Sequence, residues 1–168
     1  MPIVSGDLSV RLSGGAANAD PNAALGGAKS STAVGTGIHN LFDQVSSAET
    51  TAGDTEYRCI YIHNGHGTLT WTSPVVWISS NTPSTDTSVE IAVGSAAVNG
   101  TEQTVADEST APSGVTFSAP SSFGAGLSLG DIPAGQHKAV WIKRIVNASA
   151  GAYSDDQATI NFQGDTAA

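Results

Sequence analysis

The residues best suited to chemistry are few: Cys59, the pair His63 and His66, and the adjacent acids Asp107–Glu108 and Asp155–Asp156. A cysteine acts as a nucleophile only where a basic neighbour lowers its pKa and solvent reaches it. Cys59 instead alternates with Tyr57 and Tyr61 in EYRCIYIH, the position of a small core residue. His63-Asn-Gly-His66 resembles a metal pair, but at a strand-to-turn junction two imidazoles three residues apart do not share a face. No Cys or carboxylate stands at a matching spacing, so both read as turn histidines beside Gly65 and Gly67. The paired acids lack further oxygen ligands at regular spacing and read as solvated surface groups. The serines form no GxSxG elbow, and no glycine-rich segment follows a strand and opens a helix to cradle a phosphate. The sequence assigns no catalytic residue, no metal and no cofactor, and the expected protein is not an enzyme.

The 168 residues suffice for one domain with some irregular chain. Ala, Gly, Ser and Thr make up nearly half of them, only 12% are charged, and the formal charge is -9. A polyanion would be repelled over most of such a surface, so nucleic acid is not an expected partner. No apolar run approaches the roughly 20 residues that span a bilayer, so no membrane is expected. One cysteine cannot form an internal disulfide, and the N-terminus shows neither a basic n-region nor an apolar h-region. The expectation is a chain made and folded in a cytoplasm.

The elements that would carry any site are strands. Leu8, Val10 and Leu12 fall on one side of an alternating segment over 7–12. Residues 13–37 then hold six glycines and only Leu25 and Val34 as sizeable apolar residues, too little burial to offset an ordering cost of roughly 1–2 kcal/mol per residue. Residues 1–53 are therefore expected to be a strand followed by an extended Gly/Ala/Ser-rich arm that orders on a partner, or a linker, with a β-sandwich domain over 54–168. Strands are expected over 56–63, 68–72, 75–79, 88–93, 127–129, 138–146 and 159–162, with a further short run at 115–117. Pro74 marks an edge, a bulge or a crossing, and Asn-Gly, Pro-Ser-Gly and Ala-Gly turns punctuate the rest. The one expected helix covers 40–47. This is the pattern of an all-β, two-sheet sandwich, immunoglobulin-like or jelly roll in topology.

Strands 57–62, 75–78 and 139–146 carry large apolar residues on both faces, so their outer sides need a cover, from the chain itself or from a neighbouring protein. Lys138, Lys143 and Arg144 place half of the basic residues in one strand, a docking strip for an acidic neighbour or a guard against edge pairing. The expected interaction residues are these three with Leu8, Val10, Leu12, Leu25 and Val34.

Two resemblances follow from these segments. The layout YIHNGHGTLTWTSPVVWIS, SVEIAV, LSLGDIPAGQHKAVWIKRIV and ATINF is similar to bacterial and viral immunoglobulin-like sandwich modules. LSVRLSGGAANADPNAALGGAKSS, NLFDQVSSAETTAGDTEYRCIYIHN, NGTEQTVADESTAPSGVTFSAP and IPAGQHKAVWIKR resemble a family of small virion structural proteins of tailed bacteriophages. That resemblance implies a capsid decoration (cement) protein on the outer surface of the major capsid lattice. It further implies major capsid protein or other virion proteins as partners, and a homo-oligomeric trimer or dimer in the virion. Neck, baseplate or tail-surface roles are the alternatives, as is a host-glycan-binding module using Trp71 or Trp77 with Asn64 and Asn81.

Overall fold

A computed structural model describes residues 1–166, and nearly all of its regular structure is antiparallel sheet. A four-stranded sheet has the order β1 (Leu8–Leu12), β3 (Asp54–Asn64), β8 (His137–Val146), β5 (Thr87–Val93). A three-stranded sheet has the order β7 (Leu127–Ser128), β4 (Trp71–Ser80), β9 (Thr159–Thr166), and β2 (Gly26–Gly27) pairs with β6 (Glu102–Thr104). The two larger sheets pack on one core: Ile60, Ile62, Ile91, Val140 and Ile142 from the first meet Trp71, Val76 and Ile78 from the second. Alternation along β3 and β8 follows the pleat, so odd and even residues feed different cores.

The opposite face of the four-stranded sheet presents Cys59, Tyr61, Ala92, Ala139 and Trp141, all buried. Their cover is internal. Leu25, Val105, Val115 and Phe117 pack over them, so the outer apolar face is closed by the chain's own loops and no neighbouring protein is needed there.

The expected extended arm is likewise folded onto the body. β1 pairs with β3 from Leu8↔Asn64 to Leu12↔Ile60, and Leu12 and Ala24 are buried. The composition of 13–37 misleads because its order comes from hydrogen bonds and close approach rather than from large apolar side chains. Ser13 and Ser30 are fully buried, the Ser13 hydroxyl accepts the Gly26 amide at 3.0 Å, and the Cys59 amide donates to the Ala24 carbonyl at 2.7 Å. Gly26, at φ +93, passes so near β6 that a Cβ would lie 1.8 Å from the Gln103 carbonyl oxygen. Only glycine fits that contact.

Three further expectations change. The helix is α1, Ser47–Ala52, rather than 40–47, because Ser46 and Glu49 form a capping box that starts it. The runs at 68–72 and 75–79 are one strand from Trp71, bulged between Thr72 and Val75, where Ser73 adopts φ 48 and Pro74 withholds an amide from the ladder. Residues 115–117 form no strand; Ser118 bridges to Ile91 instead.

Candidate interaction surface

The expected chemical residues are absorbed into the fold. Cys59 is fully buried, and burial pushes its thiol pKa far up. His66 Nδ1 accepts the Thr68 and Leu69 amides at 3.1 and 3.0 Å, the role of a turn histidine, while His63 remains in β3 with Nδ1 3.3 Å from the Ser9 hydroxyl. Two of the paired acids are structural rather than freely solvated. Glu108 ion-pairs with Arg58 at 2.6 Å, and Asp156 accepts the Ser84 amide and the Thr87 hydroxyl. The glycan-type residues are also occupied: Trp71 is buried edge-on to Phe162, Asn64 donates to the Leu69 and Ile132 carbonyls, and Trp77 stacks edge-on with Phe123.

The eight expected interaction residues have partners within the chain. Leu8, Val10, Leu12 and Val34 pack on the main core, and Leu25 packs on the second. Lys138 donates to the Ala96 carbonyl, and Lys143 reaches Glu90 at 2.9 Å beside the Phe117 ring. Arg144 pairs with the buried Glu56 and with Asp43, its guanidinium 4.9 Å from the Phe42 ring centre. Arg58, wholly buried, lies 5.3 Å from the centre of the same ring. Sequence reasoning missed this end of the sheet, although Glu56 and Arg58, two apart, necessarily share a face of β3. Burial raises the Glu56 carboxyl pKa, and the Arg144 charge only partly opposes it. Glu49, Asp54 and Glu56 bring carboxylate oxygens within 4.8 Å of one another; among the described residues they are the group able to share a cation, and Arg144 already neutralises one of them.

What distinguishes the surface is how the sheet edges end. An exposed edge offers unpaired amides and carbonyls to any passing strand. β1 is closed by residues 30–34: the Leu12 and Val34 amides donate to the Thr32 and Val10 carbonyls at 3.0 and 2.9 Å. β5 is closed by Asn81, whose side-chain amide both donates to the Val89 carbonyl and accepts its N–H at 2.9 Å, and by Ser118 on Ile91.

β9 differs. It pairs with β4 on one side, and among the described residues no hydrogen bond closes its other side. The Thr159 and Asp165 carbonyls accept the Ser79 and Thr72 hydroxyls from β4, so odd-numbered backbone groups face inward. The Ile78 amide, opposite Ile160, bonds away to Pro120, which agrees. Ile160, Phe162, Gly164 and Thr166 therefore point their backbone groups outward. Beside this edge runs a shallow groove of about 220 Å³, in which Ile3, Val4, Trp71 and Phe162 meet the polar Ser5 and Gln163. Val4 is 53% exposed at its rim.

No protein-family model matches the chain, and no curated protein or solved structure matches it.

Proposed function

We propose that the chain is a non-enzymatic structural protein of a tailed-phage virion, a capsid decoration protein with an immunoglobulin-like body that docks against other subunits. The observation that carries this reading is the contrast between edges: β1 and β5 are sealed by the chain's own backbone and by Asn81, while β9, among the described residues, is left open beside a shallow groove of mixed polar and apolar lining. A chain that closes two edges and exposes a third is suited to adding sheet across a subunit boundary. The folded leader removes wrapping of a partner by an arm from this reading; docking is by the body. The formal charge of -9 and the Ser/Thr-rich surface suit a particle exterior.

The test is co-assembly with the major capsid protein of the same phage, with copies per particle counted by mass spectrometry. Capsid decoration requires on the order of hundreds of copies in symmetric array. On the order of ten would move the chain to neck or baseplate, and none would overturn a virion role.

A further inference from the structure

We propose that β9 pairs with β9 of a second copy, antiparallel about a two-fold axis, joining the two three-stranded sheets into one continuous sheet. This rests on the docking reading of the same edge and names its occupant.

The register follows from the backbone. Ile160, Phe162, Gly164 and Thr166 carry the outward-facing groups. A two-fold passing between the two Gln163 residues sets Ile160 opposite the second copy's Thr166 and Phe162 opposite its Gly164. All four outward residues then lie in pairs that exchange both hydrogen bonds. Sliding the strands by two residues in either direction leaves an outward residue of each copy without a partner in the strand, so this register satisfies the most backbone groups.

The side chains fit the same register. Thr159, Asn161, Gln163 and Asp165 are the exposed residues of β9. No Lys, Arg or Pro guards the strand, and its one charge is Asp165. Antiparallel pairing about Gln163 sets Asp165 opposite the second copy's Asn161, so the two aspartates do not meet although the chain is acidic overall. The groove lies along the same edge, and the pairing brings the exposed Val4 of each copy towards the boundary. A second copy is therefore favoured over a basic partner strand, for which this edge has little charge to offer.

The register makes a test that a generic sticky edge would not pass. Sedimentation of the full chain at roughly 100 µM should give twice the 16.9 kDa monomer mass. N161D places like charges opposite each other twice per dimer and should weaken association roughly tenfold, while N161K, opposite Asp165, should preserve or tighten it. Both substitutions are at an exposed position, and circular dichroism checks that each variant folds. Q163C should form an intermolecular disulfide on mild oxidation, because facing residues at the axis lie within disulfide reach; Cys59, fully buried, should not. A monomer at that concentration, equal effects of N161D and N161K, or no Q163C cross-link would overturn the pairing. Particle binding is scored separately: a monomer that still decorates capsids overturns the pairing alone, and a dimer that ignores particles overturns the virion role alone.

Discussion

The Tyr61 hydroxyl accepts the Glu102 amide at 2.9 Å and donates to the Gly27 carbonyl at 2.6 Å, so one side chain of β3 ties both strands of the β2–β6 ribbon to the sheet beneath. Burial raises the Tyr61 pKa to about 12, which keeps the phenol protonated and able to donate. Y61F should cost about 1–3 kcal/mol in urea denaturation, because it leaves a buried amide and a carbonyl without a partner. Amide exchange should quicken first around residues 26–27 and 102–104. Unchanged stability would mean that the ribbon holds without this tie.

Deleting residues 1–37 should prevent native folding. The deletion removes β1, the 30–34 segment that seals it, and the buried Leu12 and Ala24. It also uncovers the β3 edge from Ile60 to Asn64. Near-UV circular dichroism should be lost and dye-binding apolar surface should appear. A truncated chain with a native spectrum would restore the leader as a dispensable appendage.

The strands with many large side chains were legible, and those held by backbone alone were not. The alternation in EYRCIYIH and KAVWIKRIV locates β3 and β8 to within about two residues. The hydropathy pattern marks β9 only over 159–162; its continuation through Gln163, Gly164, Asp165 and Thr166 has little such signal, because pairing with β4 orders it. β6, Glu-Gln-Thr, has no strand pattern and exists because Gly26 can approach it. The helix start is written in Ser46-Ser-Ala-Glu49 as a capping box, a weaker signal than the more apolar stretch before it. The open edge of β9 was the least legible, since such an edge is defined by what fails to cover it.

Acid stability should depend on Glu102. Burial pushes its pKa up, but the Ala96 amide, the Ser95 hydroxyl and Gln103 together outweigh this and hold the carboxyl below its ordinary value. A lowered folded pKa contributes stability that is present above the unfolded value, near pH 4.3, and lost as pH falls through the folded one. E102Q should therefore be less stable than wild type at pH 7 and should lose less on acidification from about pH 4.5 downward. Glu56 works the other way: its pKa is raised, so its contribution is greatest below the unfolded value and declines as pH rises through the folded one. Urea midpoints across pH 3–7 check both, and an E102Q profile parallel to wild type would refute the assignment.

At Arg58 the conservative replacement should be the more damaging one. Its guanidinium is wholly buried and divides its donors among Glu108 at 2.6 Å, Asn22 at 3.1 Å and the Tyr57 carbonyl at 3.2 Å, with the Phe42 ring alongside. R58K keeps a charge in that space but replaces a planar fork with a point ammonium that cannot reach three divergent acceptors and still pack on the ring. Burial of an under-coordinated ammonium should cost about 3 kcal/mol. R58M removes the charge while keeping most of the volume, and the Glu108 side chain, 41% exposed, can return to water. Its loss should be about 1–2 kcal/mol, nearer that of an ordinary core substitution. Chemical denaturation of the two variants side by side decides the matter. R58K more stable than R58M would show that the charge itself, rather than the shape and fork of the guanidinium, holds this end of the sheet together.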